Sequence, residues 1–172
     1  ISLNVEIVSV IEIIRQRIEE FRRYAEDSGV AFDDQMPDHL TPVQGDWERL
    51  VLVFGHLIEN AIKFSPDGGV VKIQAWEGTG HVRVSISDQG IGIPVEHLDR
   101  IFERFYQVDG SASRRFGGMG VGLALVWEIV EAHNGTVVVE SDPGAGSTFT
   151  VILPQVDKEF LAQGIDEGSA AT

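Results

Sequence analysis

Two glycine-rich stretches hold the residues most able to do chemistry in this chain: Asp88-Gln-Gly90-Ile-Gly92-Ile-Pro94, and Gly117-Gly118-Met-Gly120-Val-Gly122-Leu123. The first sets one carboxylate before a tight turn that carries few side chains. The second opens an amphipathic helix, so bare backbone N–H groups and a helix N-terminus can face phosphate oxygens, because glycine lacks the Cβ that would block their approach. Together they describe a nucleotide pocket. No Lys-Ser/Thr follows the glycines, and no Gly-x-Gly-x-x-Gly follows a first strand within a βαβ unit, which disfavours both a Walker loop and a dinucleotide fold.

A third group sits on one helical face. His56, Asn60 and Lys63 or Phe64 are spaced by three or four residues, with Val51, Phe54, Leu57, Ile58, Ala61 and Ile62 supplying apolar surface around them. Asn60 is either a satisfied core amide or a hard oxygen ligand for Mg²⁺, and Lys63 can meet phosphate as a point charge. The neighbouring glycines favour the metal and phosphate reading. Between Arg100 and Arg115 four arginines (Arg100, Arg104, Arg114, Arg115) face Glu103 and Asp109, a local positive excess suited to a small polyanion such as a triphosphate.

The whole chain is acidic, with a net charge of −14, which argues against nucleic acid as a partner. Its 172 residues, 43% hydrophobic and 23% charged, fit one globular domain with a real core. There is no cysteine, hence no disulfide or thiolate metal site. No apolar run reaches the roughly 20 residues of a membrane span, so a soluble segment without direct membrane contact is expected. The chain begins at Ile1 and runs straight into patterned sequence, as a piece of a longer protein would.

The elements that must position these groups are of mixed type. Ile7, Ile11, Ile14, Ile18, Phe21 and Ala25 predict a long amphipathic helix ending near Gly29, covering a sheet rather than forming a coiled coil. A strand is expected at Val30–Asp33, and a second helix from the N-cap Asp46 to Phe64, stopped by Ser65-Pro66-Asp67-Gly68-Gly69. Val71–Ala75 and Val82–Ser87 alternate apolar with polar around Gly78-Thr-Gly80 and predict a hairpin, with Asp88 just past it. A third helix from about Gly120 to His133 precedes a second hairpin, Thr136–Glu140 and Ser147–Leu153, turning at Asp142-Pro-Gly144. The fold class is α+β: a two-layer α/β sandwich, a mixed sheet of about five strands covered by three helices on one face. Residues 155–172 lack a pattern and are expected to form a disordered tail.

The chemistry-bearing segments, taken in order, resemble the boxes of the ATP-binding catalytic domain of sensor histidine kinases, a GHKL-superfamily domain with the Bergerat fold. His56-Leu-Ile-Glu-Asn60-Ala-Ile-Lys63-Phe64 resembles the asparagine box and Asp88-Gln-Gly90-Ile-Gly92-Ile the first glycine box. Arg100-Ile-Phe102-Glu-Arg104-Phe105-Tyr resembles the phenylalanine box, and Gly117 to Leu123 the second glycine box. Gly146-Ser-Thr148-Phe149 is similar to the family's ending, so the resemblance covers residues 1–154.

That resemblance implies ATP and Mg²⁺ as cofactors and a role for each matching residue. Asn60 would hold Mg²⁺, Lys63 would meet phosphate, and Asp88 would read the adenine amino group, with Phe64 and Ile93 near the base. Gly90 and Gly92 would let the backbone pass close to the nucleotide. Gly118, Gly120 and Gly122 would line the phosphates, with Val121 and Leu123 among the nucleotide-binding residues. Phe102 and Phe105 would anchor a lid running to Phe116, mobile until Arg114 and Arg115 meet the triphosphate. Thr148 would place a hydroxyl close to Asp88. Two positions depart from the family: His56 stands where Asn is usual, with a core histidine hydrogen-bonded near the site as its plainest reading, and Gln107 stands where Arg often follows the aromatic pair.

None of His39, His56, His81, His97 or His133 has the helical setting of a phosphoacceptor. The resemblance therefore implies a protein-histidine kinase domain of a two-component system. It would be cytoplasmic, in a parent that could be membrane-anchored. Its phosphoacceptor would lie on a helical dimerisation domain, and a response-regulator receiver would be the downstream partner. The alternatives are a hydrolytic ATPase of the same superfamily, an anti-sigma serine kinase, or a non-catalytic nucleotide-binding module. The hydrolases place a general-base Glu where His56 stands, and Glu59 lies about 100° away per helical step from the face needed. Intact glycine boxes and Asn60 argue against the non-catalytic module.

Overall fold

The computed structural model describes residues 1–106 and 122–157. Strand β1 (Glu6–Val8) leads into helix α1 (Val10–Asp27), whose N-cap Ser9 is extended and accepts the Glu12 N–H on its hydroxyl at 3.3 Å. Ile7 therefore lies in a strand, not in the helix that its spacing to Ile11 predicted, because the cap starts the helical register three residues later. Ile11, Ile14, Ile18 and Ala25 are buried as the periodicity required. They pack α1 against helix α2 (Trp47–Lys63) and strand β2 (Val30–Asp34), the arrangement of a covering helix rather than a coiled-coil strand.

Helix α2 begins and ends where its local signals put it. Asp46 caps it, accepting the Arg49 N–H on Oδ1 at 3.1 Å, and Phe64 is its C-cap. The Asp46 carboxylate also accepts the Asn4 N–H at 2.9 Å, while its own N–H donates to His133 Nε2 at 3.0 Å. His133 in turn donates from Nδ1 to the Ile129 carbonyl at 2.7 Å, so one buried network joins the incoming chain, α2 and the end of helix α3 (Gly122–Ala132). This network holds the start of α2.

The main sheet runs β2-β4-β5-β7-β6, with β4 (Gly69–Gly78), β5 (His81–Ser87), β6 (Thr136–Asp142) and β7 (Gly146–Pro154). β2 and β4 are parallel and the remaining pairs antiparallel, giving the expected mixed sheet under three helices. Val71, Ile73, Val82, Val84, Ile86, Val151 and Leu153 point into the helical layer, and Val70 and Trp76 face away from it. A second, two-stranded sheet pairs β1 with β3 (Val43–Gly45), and Gln155 bridges to Val43. Val156 is buried and its N–H donates to the Pro42 carbonyl at 2.9 Å, so packing continues past Pro154. Residues 158–172, where a tail was expected, lie outside the described residues.

At the α1–α2 crossing the Arg17 guanidinium lies over Gly55 and stacks on Phe21, 5.0 Å from the ring centroid; its Nε is buried with no hydrogen-bond partner among the described residues. A Cβ on residue 55 would displace only the end of a flexible side chain. Gly55→Ala is thus expected to raise stability by up to about 1 kcal/mol through helix propensity, read as a higher urea midpoint with unchanged m-value. A lower midpoint would show that the stacked guanidinium is worth more than the propensity.

Candidate nucleotide-binding site

The loop after β5 is squeezed between the end of α2 and the β6–β7 hairpin. Asp88 donates its N–H to the Ser147 carbonyl at 2.9 Å and accepts on Oδ1 from the N–H groups of Gly90 (2.9 Å) and Ser147 (3.3 Å). Oδ2 enters no hydrogen bond among the described residues and is left for a donor. Burial pushes the carboxyl pKa above its ordinary value, opposed by those two N–H groups. A half-buried carboxylate with one oxygen fixed suits a ligand amino group.

Glycine is required in this loop by close approach. Ile91 donates its N–H to the Phe64 carbonyl at 3.0 Å, and a Cβ at Gly90 would lie far inside contact distance of that same oxygen. Gly92, at φ +72°, approaches the Asp142 carbonyl equally closely, and Gly144 N–H donates to the Ile91 carbonyl at 2.8 Å. Gly146, at φ +95°, passes against the Asp88 carbonyl. Ile93 donates its N–H to Ser141 Oγ at 2.7 Å.

Across the loop, α2 presents Asn60, Lys63 and the C-cap Phe64, all half-buried. The Asn60 side chain makes no hydrogen bond among the described residues. A neutral amide oxygen left free on this face fits Mg²⁺, which keeps several waters and takes its other ligands from phosphate. Lys63 Nζ pairs with Glu59 Oε1 at 2.9 Å, one turn back. Glu59 thus positions the lysine.

His56 is half-buried and has no hydrogen bond among the described residues. It walls a cleft of about 230 Å³ with Arg104, Phe105, Gly122, Ala124, Leu125 and Glu128. A Cβ on Gly122 would stand 3.1 Å from His56 Nδ1, so the start of α3 lies directly over the imidazole, and Leu123 beside it packs on the core. Burial lowers the His56 pKa, favouring the neutral ring.

Phe102 packs on Trp127 (centroids 5.2 Å) and edge-on to Phe149 (6.3 Å), anchoring the segment to α3 and the sheet. Phe105 instead is 65% exposed, at φ +67°. Arg100 pairs with Glu103 at 3.2 Å and lies over the Tyr106 ring, and Arg104 approaches Glu128 at 3.8 Å. Both arginines thus have carboxylate partners within the fold. Thr148 bonds Ser87 Oγ at 2.8 Å, which puts its hydroxyl beside the residue preceding Asp88 rather than on Asp88 itself. Arg114, Arg115, Gly118, Gly120 and Val121, with the lid expected across them, lie outside the described residues.

Residues 45–157 match the family described as histidine kinase-, DNA gyrase B-, and HSP90-like ATPases. The chain belongs to that family. It is 36% identical over 152 residues to the sensor-like histidine kinase SenX3 of Mycolicibacterium smegmatis, covering 88% of this chain and 39% of that protein. The chain thus spans about two fifths of the length of that relative. Full-length ShkA, solved in complex with AMPPNP, aligns with a TM-score of 0.79 at 30% identity, over 91% of this chain and 32% of that one. The mycobacterial sensor histidine kinase MprB aligns with a TM-score of 0.75 at 33% identity, over 88% of this chain and 97% of that one. The fold of this ATPase-family chain is that of sensor histidine kinase catalytic domains, the sandwich expected from its elements. Among its described residues no helix is long and apolar enough to cross a membrane.

Ser141, Ser147 and His133 were not singled out as site or support residues from the sequence. The local signals near the serines were the turn Asp142-Pro-Gly144 and the segment Gly146-Ser-Thr148-Phe149.

Proposed function

We propose that this chain is the ATP-binding catalytic domain of a two-component sensor histidine kinase, giving the ATP γ-phosphate to a histidine on a helical dimerisation domain of the same parent protein. The observation that carries this reading is the pairing of Asp88, with one oxygen unbonded among the described residues, and Asn60, its amide likewise unbonded among them, on either side of a glycine-lined loop. A response-regulator receiver domain would accept the phosphoryl group next, and the domain would work on the cytoplasmic side. Residues 1–154 would form the catalytic unit, with the packing of Gln155 and Val156 completing it.

In this reading Asp88 accepts the adenine amino group, and Phe64 and Ile93 flank the base. Asn60 holds Mg²⁺, which when bound neutralises the charge of the reacting phosphates. Lys63 leaves Glu59 for a phosphate oxygen, keeping its charge paired throughout. Gly122 and Leu123 bring the start of α3 to the phosphates, where the helix N-terminus favours negative charge. Phosphoryl transfer asks for positioning and charge neutralisation more than covalent help, and these residues supply both. His56 occupies the place where a hydrolase needs its Glu, which favours transfer over hydrolysis.

Asp88→Asn tests the reading. It should weaken ADP binding by roughly 1–3 kcal/mol, the worth of a charge-assisted bond. Calorimetric titration giving equal affinities would remove Asp88 from the pocket. The variant should not unfold earlier at neutral pH. Burial raises the Asp88 pKa, so the folded state binds that proton more tightly than the unfolded chain; the resulting stability is present below the ordinary carboxylate range and lost as pH rises through the folded pKa. An amide avoids that loss while keeping an oxygen for the Gly90 and Ser147 N–H groups. A fall in Tm at pH 7 would mean that the charge itself stabilises the fold.

A further inference from the structure

Ser141, at the end of β6, lies away from the α2 face, yet its hydroxyl ties together both ends of the Asp88 loop. Oγ accepts the Ile93 N–H at 2.7 Å, lies 2.8 Å from Ser147 Oγ, and donates to the Gly146 carbonyl at 3.0 Å. A serine hydroxyl has one proton and two lone pairs. All three contacts are satisfied at once if Ser141 gives its proton to Gly146 and receives from both Ile93 N–H and the Ser147 hydroxyl. Ser147, 7% exposed, closes the circuit: its N–H donates to Asp88 Oδ1 and its carbonyl accepts the Asp88 N–H.

The loop cannot set this geometry alone. Gly90 and Gly92 permit many backbone conformations, and Gly92 touches the hairpin at the Asp142 carbonyl without a side chain to register it. Ile91 is tied to the Phe64 carbonyl and to the Gly144 N–H, and the two-serine bridge is what ties Ile93 to the Asp88 carboxylate. We propose that Ser141 is a positioning residue for adenine recognition, holding the Ile93 backbone at a set distance from Asp88 through Ser147, so that the β6–β7 hairpin and not the glycine loop dictates the width of the base pocket. This rests on the nucleotide reading above.

In the domain as it stands, Ser141→Ala should weaken ADP about tenfold, the effect of leaving the part-buried Ile93 donor unpaired, and Ser141→Thr, which keeps the hydroxyl, should recover most of it. In an Asp88→Asn background Ser141→Ala should cost much less than tenfold, because the group it positions is already impaired; a role confined to folding would lower Tm equally in both backgrounds and leave the two losses additive. Amide exchange supplies a second measurement in the parent protein: the Ile93 N–H should exchange slowly before ADP is added. Equal ADP affinity of parent and Ser141→Ala, additive losses, or unprotected Ile93 exchange would each overturn the role of Ser141. A parent protein that fails to bind ADP would overturn the nucleotide reading instead.

Discussion

Asn60→Ala should leave the domain folded and reduce magnesium-dependent phosphotransfer to a supplied phosphoacceptor hairpin by on the order of 100- to 1,000-fold, the scale of removing one group that stabilises transition-state charge. The fold should survive because the Asn60 side chain makes no hydrogen bond among the described residues, so its removal strands no buried partner there. Alanine is also the better helix former at a half-buried site in α2. Two readouts separate the metal role from a structural one. Thermal unfolding should be unchanged, and any gain in ADP affinity that Mg²⁺ gives the parent should be absent from the variant. Transfer at the parental rate, with the magnesium effect intact, would remove Asn60 from the metal site.

Gly90→Ala should do more damage than its one added methyl suggests. The new Cβ would press on the Phe64 carbonyl oxygen, which is backbone at the α2 C-cap and cannot swing aside as the Arg17 guanidinium can above Gly55. The loop must lift, breaking the Ile91 N–H bond to that carbonyl and moving Asp88 off its two donors. A loss of about 3 kcal/mol of stability is expected, at the upper end for overpacking, together with loss of measurable ADP binding. Gly80→Ala is the control. Gly80, unlike Gly90, has positive φ, at +76°, and a Cβ there meets nothing within 4 Å, so only the left-handed strain of roughly 1–2 kcal/mol applies and ADP binding should persist. Denaturant midpoints and ADP titrations of both variants give the comparison. Gly90→Ala with parental stability and affinity would mean that the loop has slack which the close approach to Phe64 does not allow.

Much of the frame follows from local chemistry, and the chain alone determined it. Asp46 and the apolar periodicity set α2 to within a residue, since a cap and a helical face depend on neighbours within one turn. Alternation placed β4 and β5, and Thr79-Gly80 supplied their turn. The order and type of the site segments marked Asn60, Lys63 and Asp88 as one candidate site before any geometry existed.

Tertiary structure decided what depends on residues far apart in sequence. The three-residue strands β1 and β3 are too short to show a period; they exist because each finds the other across α1 and β2, and Ser9 rather than hydrophobic spacing decides that Ile7 belongs to a strand. The parallel pairing of β2 with β4 carries no turn signal. Within the site, the bond from the Ser147 N–H to Asp88, the bond from Thr148 to Ser87 and the tie from Ser141 to Ile93 are long-range hydrogen bonds. A hydroxyl or carboxylate in a sequence has several possible partners within reach of the folded chain, and only packing selects among them. The sequence by itself determined which residues could do the chemistry; the approach of β6–β7 to the Asp88 loop decided how those residues are held.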